Sequence, residues 1–432
     1  MAAGLGTRMR SSVPKHLHPL LGRRMVDWAL DAVRPLAPDP LVVVCSPGTE
    51  EALADGVVTA VQREPRGTGD AVAAARDALS GFEGDVLVLP GDAPLLTAEL
   101  LAAVVAAQRE EPAAVTLLAV ATDRALAYGR VVRGRDGRVE RIVEERDATS
   151  EERAIRELNA SVYAFSTPDL LWALERLDAA NAQGELYLTD TVRHLVEDGR
   201  RVAVVATDDV DAAQGVNTRV DLADAAGVLR DRILRRHMLA GVTVVDPRTT
   251  WIDAGVELAA DVVVHPFTIL RGRTVVEAGA EVGPHAVAAD ARIGERALVG
   301  PFAYLRPGTQ LAAGSKVGTF VEVKNSRIGE RTKVPHLSYV GDAEIGEDTN
   351  IGAGAITANY RPELGSGKQP TRIGRNVHTG SDNVFVAPVE IGDDAWIAAG
   401  STITEDVPPG ALAIARARQV VKENYGDRDR ND

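Results

Sequence analysis

The feature that most constrains this chain is a six-residue spacing in its second half. Ile293, Val299, Leu305, Leu311, Val317 and Val323 follow one another at that interval. The phase slips by one to Ile328, Val334 and Val340, and again to Ile345 and Ile351. After an interruption it resumes at Phe385, Ile391, Ile397 and Ile403. A period of six matches neither a helix at 3.6 nor a strand at 2. It matches a coil in which each six-residue unit makes one short strand and one corner, with the apolar residue pointing inward. A sandwich would not hold one spacing over so many positions. Gly294, Gly300, Gly318, Gly329 and Gly346 each follow an apolar residue, and glycine is expected there for the backbone angles of a corner. Earlier coils are expected around Val263, Ile269 and Val275. The spacing predicts a parallel β-helix of hexapeptide repeats over 241–407, followed by a charged tail, 408–432.

Between Asn359 and Thr371 the repeat breaks. Arg361, Pro362, Gly365, Gly367 and Pro370 predict a loop that leaves the coil, and loops on a rigid scaffold often carry function.

Residues 1–220 have another rhythm. Leu41–Cys45 and Asp85–Pro90 read as buried strands; Met25–Val33 and Thr97–Gln108 read as helices, the second with Thr97 as N-cap. This alternation predicts an α/β, Rossmann-like domain whose mostly parallel sheet is covered on both faces. Residues 221–240 read as a linker helix. A net charge of −14 argues against a nucleic-acid surface, so anionic substrates would need local cations. The single cysteine, Cys45, excludes an internal disulfide framework and fits a reducing compartment. No run nears the roughly 18 apolar residues of a membrane span, and no secretory signal is visible, so a cytoplasmic location is expected.

The opening segment Ala2-Ala-Gly-Leu-Gly-Thr-Arg8, with Pro14-Lys15 after it, is a glycine-rich turn. Such a turn presents backbone N–H groups to phosphate, and Arg8 and Lys15 add positive charge. It is not a Walker motif, because the Gly-Lys-Ser/Thr ending is absent. Gln62 precedes a second small-residue turn, Gly67-Thr68-Gly69. Asp92 follows a buried strand, well placed for a ligand crevice and for Mg²⁺. Together these segments resemble the sugar-1-phosphate nucleotidyltransferases. In the second half, Arg306 and Lys324 are 18 residues apart, one coil of three six-residue faces, so they are expected to stack on one face as a phosphate site. His336, in Lys333-Val-Pro-His-Leu-Ser-Tyr339, is suited to accept a proton near neutral pH.

With these motifs added, nearly the whole chain resembles one bacterial family: N-acetylglucosamine-1-phosphate uridylyltransferase fused to glucosamine-1-phosphate N-acetyltransferase. The resemblance implies that Ala2, Ala3, Gly4 and Lys15 line a UTP site, while Gln62, Gly67 and Thr68 read the uracil. Gly91 and Asp92 follow, with Asp92 and Asn217 as Mg²⁺ ligands. Gly129, Glu144 and Asn159 would hold the sugar; taken singly, Glu144 and Asn159 read as surface or capping residues. It further implies that Arg306, Lys324, Tyr339 and Asn350 bind glucosamine 1-phosphate, with His336 as general base. Ala353, Asn359, Tyr360, Ser381, Ala399 and Arg416 would bind acetyl-CoA, the co-substrate. A left-handed helix and a homotrimer with acetyl-transfer sites between subunits are implied too.

The chain departs from the family pattern in places. The short apolar strand that precedes Ala-Ala-Gly in the family has no counterpart before Ala2, which suggests a start upstream of Met1. Ala160-Ser161 stands where Thr-Gly is common. Asn359-Tyr360-Arg361-Pro362 replaces Asn-Tyr-Asp-Gly, and Ile397-Ala-Ala-Gly400 replaces Ile-Gly-Ala-Gly, both on the expected coenzyme side. Two other readings compete: a nucleotidyltransferase whose β-helix is only structural, which His336, Arg306 and Lys324 oppose, and a silent trimeric scaffold.

Overall fold

The computed structural model describes residues 1–426 apart from 5, 54, 55, 125, 366 and 424. The chain divides into two compact units, Met1–Leu229 and Arg230–Asp432, with the boundary inside the helix Arg219–Leu239.

In the first unit, helices Met25–Val33 and Ala98–Glu110 stand where the sequence puts them. Thr97 caps the second by accepting from the Leu100 N–H at 3.4 Å. The main sheet departs from expectation. Val115–Ala121 and Val202–Thr207 pair in parallel, but the long strand Glu157–Ser166 runs antiparallel to Val115–Ala121, Asp85–Val88 and Arg130–Arg133. The sheet is therefore mixed, because the ten-residue strand doubles back through its centre. Burial on both faces was read correctly. Along Val115–Ala121, Val115 and Leu117 join one core cluster while Leu118 and Val120 join another, the period of two that a doubly covered strand requires.

A separate two-stranded sheet pairs Val42–Cys45 with Val58–Val61 in parallel. Met1 and Ala2 bridge it to the main sheet. The Ala2 N–H donates to Val44 O at 2.6 Å, and the Gly91 N–H donates to Met1 O at 2.7 Å. The Met1 ammonium donates to Leu89 O at 2.8 Å. Gly91 is required at this crossing, since a Cβ there would sit 2.8 Å from Met1 O.

The second unit is a left-handed parallel β-helix. Its strands fall into three faces, one running from Trp251–Ile252 through nine strands, another from Glu257–Leu258 through eight. Ile293, Val299, Leu305, Leu311, Val317, Val323, Ile328, Val334, Val340, Ile345, Ile351, Phe385, Ile391, Ile397 and Ile403 are all buried. The phase slips are 17-residue coils. Gln310 pairs with Arg327 and Leu311 with Ile328, and the lost residue comes out of the corner at Asn325, at φ 43°. The second slip falls at Asp342, at φ 50°.

Early coils lie around Val263, Ile269 and Val275 as expected, with Val264, Leu270 and Val276 facing inward. One expectation needs correction. Most of the glycines after the inward residue serve another purpose than corner angles. Of the five, Gly300 has a positive φ, whereas the left-handed corners fall at residues such as His285, Arg296, Phe302, Phe320, Asn325 and Asp342. Gly318 is needed for space: a Cβ would lie 2.0 Å from Pro335 O on the next coil. Coil stacking, not backbone freedom, selects that glycine.

The Met1 amine generates a pH prediction. Burial pushes it down to about 6 from an ordinary 8.0, against the opposing pull of Asp92. Between those values the unfolded chain holds the proton and the folded chain does not, so stability rises with pH across that window. Urea denaturation of the full chain at pH 6, 7 and 8 should show a gain approaching about 2 kcal/mol in the first unit. Acetylating the α-amine should flatten it; an unchanged slope would contradict the burial.

Candidate functional site

In the first unit, four expected residues converge. Lys15 lies in a short turn whose ammonium forms an ion pair with Asp92 Oδ2 and donates to Asn217 Oδ1 at 2.9 Å. Arg8 Nη2 donates to the same Asn217 oxygen at 2.8 Å. Lys15 is buried and the Asp92 side chain is 22% exposed, so this cluster of charge faces a partly open mouth. Two oxygens from distant segments thus point at one cationic position. Among the described residues no group of three or more His, Cys, Asp and Glu could hold a metal. A carboxylate and an amide oxygen supply two ligands only, which suits Mg²⁺ completed by phosphates and water.

Ala2 and Ala3 are buried beneath this mouth and Gly4 is exposed at it. Gln62 is buried; its amide donates to Gly67 O at 3.0 Å and to Asp70 Oδ2 at 2.9 Å. Thr68 Oγ1 accepts from the Leu188 N–H at 3.0 Å. The Gln62 side chain is therefore held against the Gly67 turn.

Gly129 and Glu144, at the ends of the paired strands Arg130–Arg133 and Val139–Val143, come close to Asn159 on the strand Glu157–Ser166. Arg130 pairs with Val143 and with Leu158, and the Asn159 N–H donates to Gly129 O at 2.8 Å. Asn159 is buried and its amide engages Tyr163 Oη at 2.7 Å and the Ser161 N–H at 3.2 Å. Glu144 is half-buried. Burial raises its carboxyl above the usual range, while Thr189 Oγ1, donating at 3.0 Å, opposes the rise.

Sequence reasoning missed several supporting residues. Asp221 accepts from the Asn217 and Thr218 N–H groups, fixing the loop that carries Asn217. The signal was legible as Thr218-x-x-Asp221, a capping-box pattern. Tyr128 Oη accepts from the Gly215 N–H at 3.0 Å, and burial raises its phenol. His16 is pushed down to about 4, chiefly by burial, and stays neutral beside Lys15. For Thr189 and Tyr128 no local pattern gives a cue.

In the second unit, Tyr304 pairs with Glu322 and Leu305 with Val323, so Arg306 and Lys324 occupy matching positions on successive coils of one face. Arg306 Nη1 also donates to Glu322 at 2.8 Å. Tyr339 lies one coil further along the same face, opposite Glu322. His336 sits on the adjoining face, opposite Thr319, with its side chain exposed. Asn350 bridges Lys333 and His378.

Asn359 is buried, donating to Asp342 Oδ2 at 2.6 Å and Tyr339 Oη at 3.3 Å. It anchors the expected loop, which closes as a hairpin: Tyr360 bridges Lys368, whose ammonium lies 4.1 Å from the Tyr360 ring centre. Arg361 ties the loop down by donating to Ala387 O at 3.2 Å. Ala353 O accepts from Asp382 N–H at 2.7 Å, Ser381 O accepts from Gly400 N–H at 2.8 Å, and the Arg416 chain passes near Gly400. Ala353, Ser381, Ala399 and Arg416 thus follow one line across successive coils, with Ser381 and Ala399 exposed.

A charged crevice beside a mixed α/β sheet, joined to a hexapeptide β-helix, defines a nucleotidyltransferase fused to an acyltransferase. Residues 1–189 match the MobA-like NTP transferase domain, and residues 370–405 match the hexapeptide repeat of succinyl-transferase. The chain is 49% identical to the bifunctional protein GlmU of Streptomyces avermitilis and 48% to that of Streptomyces coelicolor, each match covering all of this chain and 94% of the relative. It is 47% identical to the GlmU protein of Mycobacterium tuberculosis, over all of this chain and 92% of the relative. The chain belongs to the GlmU family. It is a bifunctional enzyme of UDP-N-acetylglucosamine biosynthesis, with nucleotidyltransferase and acetyltransferase activities.

Replacing Thr189 with Val removes the hydroxyl that Glu144 accepts, so the Glu144 carboxyl should titrate still higher. Carboxylate-resolved NMR of the full chain across pH 4–8 checks this; an unmoved Glu144 titration would count against the contact.

Proposed function

We propose that each unit carries one complete reaction. The first, assigned to residues 1–220, transfers UMP from UTP to N-acetylglucosamine 1-phosphate. The second, assigned to residues 241–407, acetylates glucosamine 1-phosphate with acetyl-CoA; 221–240 links them and 408–432 is a tail. The observation that carries this reading is the presence of two separate clusters of charge, one around Lys15 and one around Arg306 and Lys324, each with partners suited to a phosphorylated sugar.

In the uridylyl site, Ala2, Ala3, Gly4 and Lys15 hold the triphosphate, and Gln62, Gly67 and Thr68 bracket the base. Gly91 lets the chain pass close beside Asp92. Gly129, Glu144 and Asn159 orient the sugar, Asn159 by supporting the strand. A phosphate oxygen of the sugar attacks the α-phosphorus, the new P–O bond forms, and the bond to the β-phosphate breaks to release pyrophosphate. No side-chain nucleophile is needed; alignment and neutralised charge supply the catalysis. Lys15 and Arg8 face the charge that grows on the leaving group. Asp92 and Asn217 would hold Mg²⁺, which supplies further neutralisation of the phosphates.

In the acetyl site, Arg306 and Lys324 clamp the phosphate, with Tyr339 and Asn350 against the sugar. His336 takes a proton from the amine as its nitrogen attacks the thioester carbonyl; the C–S bond breaks and the coenzyme leaves as its thiol. Ala353, Asn359, Tyr360, Ser381, Ala399 and Arg416 line the coenzyme side. Tyr360 is exposed on the hairpin beside Lys368, positioned to cover that ligand.

A homotrimer is supported by a column of rings on one corner of the β-helix. Phe267, His285, Phe302 and Phe320 stack at centroid spacings of 4.6, 4.7 and 5.2 Å, and the three phenylalanines remain largely exposed. Such an exposed apolar strip fits burial against further copies. A cytoplasmic location is proposed, since UTP and acetyl-CoA are intracellular substrates; among the described residues no helix is long and apolar enough to cross a membrane.

Two substitutions test the division of labour. His336→Ala should lower acetyl transfer by about 10²–10⁴-fold and leave uridylyl transfer intact, as followed by free thiol release and by pyrophosphate release. Loss of both would contradict separate sites. Asp92→Ala should lower only the Mg²⁺-dependent pyrophosphate release, by about 10²-fold or more.

A further inference from the structure

The two corners that absorb the phase slips, Asn325 and Asp342, meet each other. Asn325 Nδ2 donates to Asp342 Oδ1 at 2.6 Å, and Asn359 Nδ2, one coil further on, donates to Asp342 Oδ2 at 2.6 Å. The half-buried Asp342 carboxylate therefore ties three successive coils. Its backbone N–H also donates to Lys324 O at 3.0 Å, and Asn359 Nδ2 directs its other hydrogen to Tyr339 Oη at 3.3 Å. Gly341 makes room for that contact, since a Cβ there would overlap the Tyr339 hydroxyl and lie 2.6 Å from Asn359 Nδ2. Gly341 pairs with Lys324, and Arg306 precedes Lys324 in the same column. The Tyr339 hydroxyl, lying over Gly341, thus takes the third position in the column that Arg306 and Lys324 begin.

Resting on the acetyl-transfer reading above, we propose that Asp342 is a positioning residue of that site: it fixes the Asn359 amide so that Tyr339 offers its hydroxyl hydrogen to the sugar phosphate in line with Arg306 and Lys324. A carboxylate accepts and does not donate, so the Asn359 group that faces it is the NH2 and not the oxygen. That orientation makes Asn359 a donor to Tyr339 as well. A phenol that accepts from Asn359 keeps its own O–H to donate, and a phosphate accepts. With the Asn359 amide turned over, its oxygen would draw the Tyr339 hydrogen to itself, and the column would end with an acceptor facing an acceptor. Asp342 itself touches no ligand in this arrangement and acts through Asn359. The left-handed corners that shorten these coils, at φ 43° and 50°, suit Asn and Asp better than most residues, so the side chains that make the slips also make the network.

The test follows acetyl transfer by the full chain through thiol release, with pyrophosphate release as the control. Asp342→Ala should raise the KM for glucosamine 1-phosphate about tenfold. Its kcat should change by less than about threefold, because the lost contact serves bound substrate and transition state alike. Asp342→Asn can still turn an oxygen toward Asn359 and should stay within about twofold of the unsubstituted chain. In a Tyr339→Phe background, Asp342→Ala should add less than about twofold, because the hydroxyl it positions is gone. Asn325→Asp, on an exposed corner, sets a second carboxylate against Asp342 and should show the same dependence on background if Asp342→Ala does not fold. Uridylyl transfer should be unchanged throughout. A KM untouched by Asp342→Ala, an equal rise in both backgrounds, or an Asn variant as impaired as the Ala variant would each overturn the proposal. An unsubstituted chain without acetyl transfer would overturn the reading of the site itself and this proposal with it.

Discussion

The second unit depends on one constraint: each coil must lie in register on the next. A single coil of 17 or 18 residues encloses too little to exclude water, so its inward side chains are buried only when coils above and below close the ends. The backbone ladder enforces this register. Glu322 N–H donates to Ser338 O and Arg306 N–H to Val323 O, both near 2.9 Å, and such bonds recur along the faces. Register then does a second job. Because position on one coil fixes position on the next, residues far apart in sequence stack as columns. Arg306 over Lys324 is one such column, and the rings from Phe267 to Phe320 form another at a corner. Sites on this scaffold are lines across coils, and a one-residue slip is tolerated only where a corner absorbs it.

That regularity explains why the second unit was legible from sequence. Every inward residue from Ile293 to Ile403 named by the six-residue spacing is buried, and the stacking of Arg306 on Lys324 followed from arithmetic alone. The errors have equally physical origins. Gly318 was credited to corner geometry because sequence does not display the distance to the neighbouring coil. The corners themselves carry Phe, Arg, His and Asp, residues with no intrinsic preference strong enough to announce a left-handed turn, apart from the Asn and Asp positions.

The first unit was legible by segment but not by topology. Helices and strands were found, yet the antiparallel course of Glu157–Ser166 was not, because strand direction is set by how the chain returns and not by local pattern. Its charged site was named from motifs, but its geometry depends on residues with no motif. Asp221 fixes the Asn217 loop, and Thr189 restrains Glu144, from segments that are remote in sequence from the glycine-rich turn. Lys15 is the joint of the whole arrangement. Its ammonium occupies the position toward which the Asp92 and Asn217 oxygens point, so their mutual repulsion is neutralised before any ligand arrives. Arriving phosphates and a cation would redistribute contacts that already exist, which costs less reorganisation than assembling a site from solvated charges.

The two units therefore solve the problem of strand edges in opposite ways, with different consequences for their sites. The β-helix pairs nearly every strand on both edges, so its site residues inherit positions from the ladder and need few private supports. The α/β unit leaves two strand edges facing a common gap, and Asp92 stands three residues beyond the Leu89 carbonyl that caps one of them. The placement of its carboxylate rests on two contacts from the Met1–Ala2 stub and on the Lys15 ion pair. An edge held by so few bonds opens more readily than one held along its length. The electrostatic precision of the nucleotide site is thus a property of the sheet as much as of the side chains that face the ligand.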